Sequence, residues 1–455
     1  MHKNENRPGY KNSKVGWIPE EWYSFPLKTL TSRIGDGIHT TPDYVEKSDY
    51  YFINGNNLVD GRVSISEQTK CVSKEEFVKH HRELGFRTLL LSINGTIGSV
   101  AYFNEENVIL GKSAAYINCG DHLDKTFAFN FLNSQKTNSF FRGELTGSTI
   151  QNLSLASIRL LPVSLPPLPE QKAIARVLEC WDRGIVNLEL KIVNKRNIKN
   201  GLMQQLLSGK LRLPGFGAEL GMGNGELRIL NSESRIPEGW ESVELGEVFD
   251  FVSTYAFSRE CLTTEAIDNS DIYNIHYGDI HATYTGPILD LAKERRVPML
   301  KTSDALPDKL EFLQEGDLVM ADVSEDYEGI GACIELKNLA NKKLTGGLHT
   351  FVMRDTSSQT AEGFRGYMFN EYRLAKELKR IATGVSVYSL SKTNLAKIEL
   401  LLPPLAEQQS ITSVLWGADE EIAALEKKLA LWKEQKKYLL NNLVTGTIRL
   451  PEFEL

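Results

Sequence analysis

Five cysteines in 455 residues, Cys71, Cys119, Cys180, Cys261 and Cys333, are too few and too scattered for a disulfide framework, and none forms the CxxC pair of a structural zinc site. No apolar run approaches the ~18 residues that a membrane-crossing helix requires, and the polar, basic start MHKNENRPGYKNSK has no apolar leader segment behind it. The chain is therefore expected in the cytoplasm, with no membrane partner. Glycine-rich cofactor turns are missing too, since the cluster from Gly215 to Gly225 has no strand ahead of it and reads as a linker. There is no Walker A sequence, no Asn/Asp-Pro-Pro-aromatic loop of the kind that holds a flipped adenine, and no supported nuclease-like carboxylate–lysine cluster. The His80–His81 pair lacks a third metal ligand at a useful spacing, and the acidic loop Asp322, Glu325, Asp326, Glu328 reads more simply as solvated. These absences argue against methyl transfer, nucleotide hydrolysis and strand cleavage, and predict no catalytic, metal or cofactor residue in this chain. The net charge of −7 argues mildly against tight nucleic-acid binding by the chain alone, although local clusters matter more than totals.

What is present is a duplication. Adding 237 to a residue number maps Gly147–Phe216 onto Gly384–Phe453 without a gap. Leu165-Pro166-Pro167-Leu168 falls on Leu402-Pro403-Pro404-Leu405, Glu170-Gln171 on Glu407-Gln408, Gly209 on Gly446, and Arg212-Leu213-Pro214 on Arg449-Leu450-Pro451. The register reaches back to Phe127 and Asn133, which land on Phe364 and Asn370. A shorter echo opens each copy: Ile18-Pro19-Glu20-Glu21-Trp22 returns as Ile236-Pro237-Glu238-Gly239-Trp240 at an offset of 218, so the second insert is 19 residues longer. Between these frames the two inserts show little similarity.

After each PPLxEQ turn comes a heptad seam. In the second copy it runs Ile411, Leu415, Ala418, Ile422, Leu425, Leu429, Trp432, Leu439, Leu443, with Lys436 at the skipped position. In the first it runs Ile174, Leu178, Trp181, Ile185, Leu188, Ile192, Leu202, Leu206, interrupted by Lys195 and Lys199. Such seams predict two long helices, about 170–207 and 407–444, each roughly 57 Å long at ~1.5 Å per residue, started by prolines and ended by Gly209 and Gly446. An amphipathic helix lying on one globular body is the plainer alternative. The narrow seam and charged outer face favour a free-standing antiparallel pair, a rod with the inserts at opposite ends. The first helix is the more basic, with nine Lys or Arg against four acids from Glu170 to Arg212. That excess reads either as a solvated face or as a groove for DNA or an acidic partner.

Both inserts read as small mixed α/β domains. Leu89–Ile93, the turn Asn94-Gly95-Thr96-Ile97-Gly98 and Val100–Phe103 predict a hairpin, and Leu318–Ala321 with Cys333–Leu336 a second strand pair around a longer loop. The expected boundaries are an N-terminal tail 1–17, a first insert domain 18–152, a central repeat 153–212, a linker 213–235, a second insert domain 236–389 and a distal repeat 390–455. Before each helix lies a polar loop that reads either as a capped turn or as a surface for phosphates and base edges. Its candidates are Ser148, Thr149 and Gln151 in the first copy, and Ser386 and Tyr388 in the second. Asn94 and Thr96 in the hairpin turn join them. Arg87, Lys112 and Arg142 in the first insert, and Arg259, Lys293, Arg295, Arg296 and Lys379 in the second, are candidate cationic DNA contacts.

The opening motifs, the GTIG-type hairpin, the PPLxEQ turns, the long helices and the endings SGKLRLP and TGTIRLP together resemble type I restriction-modification specificity subunits over Ile18–Pro451. The resemblance implies a non-catalytic subunit whose two target-recognition domains each read half of a split double-stranded DNA sequence. It implies helices that fix the unread spacing and bind two modification (methyltransferase) subunits, which carry S-adenosylmethionine, with restriction (motor-nuclease) subunits able to join. Because the second loop runs Asp322–Glu328 instead of a GTIG-type turn, the two domains need not share a contact geometry. A coiled-coil scaffold that binds proteins through its two ends is the other reading of the same architecture.

Overall fold

The computed structural model describes residues 7–147, 151–216, 228–229, 236–265, 271–284, 286–301 and 309–453. They form two compact units, one made from both ends of the chain (Met1–Leu190 with Lys427–Leu455) and one contiguous (Lys191–Glu426). Two long helices, Leu168–Leu207 and Leu405–Leu443, each contribute a segment to both units. They start two residues earlier than the seam predicts, at the leucine that follows each Pro-Pro pair. None of the described helices is long and apolar enough to cross a membrane.

The inserts have the same sheet order although their sequences do not match. In the first, a four-stranded antiparallel sheet runs Val100–Tyr102, Thr88–Ser92, Ala114–Cys119, Thr31–Asp36. In the second, Cys333–Lys337, Leu318–Ala321, Thr350–Asp355, Phe249–Val252 repeat that order. A further strand, Ile288–Asp290, is added in parallel beside Cys333–Lys337, which takes up part of the extra length. The smaller sheets also correspond. Val108–Leu110, Tyr51–Ile53, Cys71–Val72, Tyr44–Val45 matches Lys343–Gly346, Ile272–Ile275, Met299–Leu300, Leu262–Thr263. Each central strand, Thr88–Ser92 and Leu318–Ala321, is wholly buried, as a strand covered on both faces must be.

The expected N-terminal tail is instead partly a hairpin. Tyr10–Ser13 pairs with Gly16–Pro19, closed by Gly16 at φ 92° and by the Ser13 hydroxyl donating to the Gly16 carbonyl. Within the expected linker, Arg228–Ile229 pairs with Leu211–Arg212. The glycine cluster Gly217–Gly225 lies outside the described residues.

The duplicated motifs meet in space, once in each unit. In the N-terminal unit Trp22 donates its indole N–H to Glu170 at 2.9 Å, and Arg449 forks onto both Glu170 oxygens at 3.0 Å. In the C-terminal unit Trp240 donates to Glu407 at 3.1 Å, and Arg212 forks onto the same carboxylate at 2.5 and 2.7 Å. Glu170 and Glu407 are each 1% exposed, so each buried charge relies on its arginine and tryptophan partners. The neighbouring glutamine ties the helix start to the globular part. Gln171 donates to the His122 and Pro166 carbonyls and accepts from the Asp124 amide, while Gln408 donates to Gln359 and Pro403 and accepts from Ala361.

The glycine ending each helix is fixed twice over. Gly209 and Gly446 have φ of 67° and 71°, and an added Cβ would lie 2.4 Å from Pro237 or 2.5 Å from Pro19, the prolines of the opening motifs. Asn441 and Gln204, again 237 apart, accept from the Gln135 and Tyr372 amides that begin corresponding short helices.

Within each unit the helix segments run antiparallel. Trp181 meets Trp432 edge-on at 5.8 Å in the N-terminal unit, where Lys433 pairs with Glu189 at 2.7 Å and Lys436 with Asp182. In the C-terminal unit Lys195 pairs with Glu421 at 2.8 Å and Lys199 with Asp419 at 2.5 Å, and Arg196 pairs with Glu426. The lysines that interrupt the seam are thus cross-helix ion pairs. They also occupy part of the first helix's basic excess, which weakens the reading of that helix as a DNA groove.

Candidate DNA interface

Each polar loop before a long helix is pinched at its neck. Thr146 and Asn152 exchange backbone hydrogen bonds of 3.1 and 2.9 Å, and Thr383 and Ser389, 237 positions later, do so at 3.0 and 2.8 Å. Gly384 has φ of 123°, and a Cβ there would lie 2.0 Å from the Val387 carbonyl oxygen, so this closure requires glycine. Between the necks the second loop projects Val385 (89% exposed), Ser386 and Val387. In the first loop Gln151 is exposed, while Ser148 and Thr149 lie outside the described residues.

Both necks dock on the turn that follows the central strand. Asn152 bridges Asn94, and the Leu153 amide donates to the Ile93 carbonyl at 3.0 Å. Tyr388–Ser389 pairs with Val323–Ser324, and Leu390 donates to the Asp322 carbonyl at 2.8 Å. The acidic loop therefore occupies the place of the GTIG-type turn. The two domains share the placing of these loops and differ in side chains. Tyr327 packs on Tyr388 at 4.9 Å, and Lys379 pairs with Glu328. Asp322 faces His349 at 3.4 Å; burial raises its carboxyl pKa, while the neighbouring imidazole pulls it down. No group of three or more His, Cys, Asp or Glu among the described residues is arranged to hold a metal ion.

The structure sorts the candidate side chains by how they are held. Arg87 donates to the Cys119, Gly120 and Leu123 carbonyls, which makes it a brace at the strand end. Arg296 is similarly taken up by Glu294 and the Thr283 carbonyl. Thr96 turns its hydroxyl inward to the Gly55 carbonyl at 3.1 Å, and Asn94 is half-buried beneath the first loop. Lys293 lies 3.6 Å from Asp290, with Trp416 beside it. Lys112, Arg142 and Arg295 are exposed, with no ion pair among the described residues. Arg259 alone among these cations is anchored by a buried acid, Asp279 at 2.9 Å, while its side chain stays 55% exposed.

A set the sequence reading missed lies beside the second loop. Tyr277 packs edge-on against His349 (5.5 Å) and His281 (6.3 Å), and His281 reaches the Val323 carbonyl at 3.2 Å. His281 and His349 lie far apart along the chain, so no local pattern marks them as neighbours of Tyr277.

Behind this face sits a buried acid with its own pH signature. Glu335 accepts from the Gly363 and Gly366 amides at 2.5 and 2.8 Å, yet burial pushes its pKa up to about 7. Unfolded, the same carboxyl ionises near 4.5. Its stabilising contribution is thus full below pH ~4.5 and lost as pH rises through ~7. Between pH 5 and 8, Glu335→Gln should shift stability in the variant's favour by up to roughly 3 kcal/mol relative to wild type. Urea midpoints of the C-terminal unit measure this, and parallel pH profiles for the two proteins would contradict it.

Comparison with known proteins agrees with this architecture. The family model of type I restriction modification DNA specificity domains matches residues 19–195 and again 237–431, and the chain belongs to that family. With two such domains it is of the specificity-subunit class, the part of these systems that is not itself the enzyme. Similar proteins include the type I restriction enzyme MjaVIII specificity subunit of Methanocaldococcus jannaschii, 24% identical over 99% of this chain and 97% of that protein. The EcoKI specificity subunit of Escherichia coli strain K12 is 21% identical over 87% of this chain and 82% of its own length. A structure solved in work on assembly and conformational transition of the type I restriction-modification system matches with a TM-score of 0.59 at 16% identity, covering 95% of this chain and 99% of that one. That last likeness is one of fold.

Proposed function

We propose that each recognition domain reads one half of a bipartite double-stranded DNA target, while the paired helices fix the spacing between the halves. The observation that carries this reading is the contrast between an identical frame and unlike surfaces. The clamp glutamates and arginines, helix starts and loop necks coincide at an offset of 237, whereas the loops they support present different side chains. Cross-helix ion pairs within each unit support the pairing of the helices in this reading. The helices also dock two modification subunits, which hold S-adenosylmethionine and methylate adenine, and restriction subunits join that assembly. The chain works in the cytoplasm and reads DNA by phosphate contacts that supply affinity and loop contacts that supply specificity.

The test exchanges residues 23–146 for the corresponding block of a family member, co-expresses the chimera with its modification subunit, and maps methylated adenines by sequencing. One half of the methylated sequence should change while the other half and the spacing persist. Two unchanged halves would remove the recognition assignment and favour the protein-binding scaffold.

A further inference from the structure

We infer that Arg259 is a base-reading residue of the second recognition domain, held by Asp279 so that its free edge addresses a guanine in the major groove. The inference rests on the DNA-reading function proposed above and adds a residue and a base to it.

A guanidinium reads guanine by presenting two parallel N–H donors to O6 and N7. That requires a side chain fixed in direction yet not fully occupied by protein acceptors. The other candidate cations fail one condition or the other. Arg87 and Arg296 have their guanidiniums taken up by carbonyls or by Glu294, and Lys112, Arg142 and Arg295 are exposed without an anchor among the described residues. Arg259 meets both. Its Nη1 donates to Asp279 Oδ1 at 2.9 Å, and no other hydrogen bond engages it among the described residues, which leaves the Nε–Nη2 edge open.

The anchor is rigid. Asp279 is 6% exposed, and its second oxygen accepts the His276 backbone amide at 2.9 Å. The Asp279 amide returns the contact, donating to the His276 carbonyl at 3.0 Å at the start of helix Tyr277–Ala282. Burial, and then the Arg259 cation, hold the His276 pKa below the usual imidazole value. Gly278 leaves the flank of the guanidinium clear, since a Cβ there would stand 3.1 Å from Nη2. The part-exposed Tyr277 carries the surface on to His349 and His281, and so to the Val323 neck of the second polar loop.

The test uses the assembled complex with the modification subunit. Methylated sites are sequenced for wild type, Arg259→Ala, Arg259→Lys and, as a control, Arg295→Ala. Arg259→Ala should relax selection of a G·C pair at one position of one half-site, with discrimination there falling roughly ten- to a hundredfold. Lysine, a point donor, should not restore it, and Arg295→Ala should leave every position unchanged. Asp279→Asn should relax the same position by less, with circular dichroism and melting reporting whether the domain is intact. Equal weakening on all sequences, with the salt slope reduced by about one, would make Arg259 a phosphate contact and overturn the inference. An unchanged methylation pattern would overturn it too. In either case a half-site change on exchanging 23–146 would leave the recognition function standing, whereas failure of that exchange would remove both.

Discussion

Arg449→Ala should destabilise the N-terminal unit by about 3–5 kcal/mol, the usual cost of removing one partner of a buried ion pair. The reason lies in what remains. Glu170 is 1% exposed, and without the guanidinium its carboxylate keeps only the Trp22 indole N–H, too little to compensate a desolvated charge. Arg449 also reaches Glu21 at 3.0 Å, tying the opening motif to the same point. The C-terminal unit has its own Arg212–Glu407 pair and should not respond. Hydrogen exchange read peptide by peptide separates the two: protection should fall within residues 7–190 and 427–453 and persist within 191–426. Replacing Arg449 and Glu170 together with leucine should recover most of the loss, since apolar pairs of similar volume substitute well for buried ion pairs. A loss shared equally by both units, or one below ~1 kcal/mol, would show that the clamp is not what holds this corner.

Gly384→Ala should have the opposite profile, with little loss of stability and a large loss of recognition. The methyl group would lie 2.0 Å from the Val387 carbonyl oxygen at a φ of 123°, so the neck between Thr383 and Ser389 cannot keep its closure. The residues displaced, Val385, Ser386 and Val387, are exposed and contribute little to the core. Losing the contacts of one half-site should weaken specific binding by the assembled complex roughly a hundredfold, because mismatched base pairs cost ~1–3 kcal/mol each. Non-specific binding, carried by phosphates, should barely change. Titrations on the cognate target and on unrelated DNA at one salt concentration decide it. A matched loss on both would mean that the loop contacts only the backbone.

The frame of this fold is legible in the sequence because its residues touch one another. Trp22, Glu170 and Arg449, with their counterparts Trp240, Glu407 and Arg212, cannot vary singly without leaving a buried charge unpaired, so they recur as a pattern. The helices are legible from their seams, and even the interrupting lysines mark true interface positions. The common sheet order of the inserts is not legible. A buried strand asks only for apolar residues of fitting size, and Thr88–Ser92 and Leu318–Ala321 meet that demand with different ones. The state of a surface cation is likewise hidden. What distinguishes Arg87 from Arg259 is a row of carbonyls around Cys119 in one case and a capped aspartate twenty positions on in the other. Neither partner announces itself locally.

The two arginine clamps also impose an order on synthesis. The C-terminal unit is one continuous stretch, Lys191–Glu426, and has every residue it needs once Glu426 has been made. The N-terminal unit, although begun first, lacks Arg449 and the core residues Leu443 and Val444 until the stretch from Lys427 onward has been made. The unit begun first is therefore completed after the second, and until then Glu170 lacks its arginine and part of the apolar core stays uncovered.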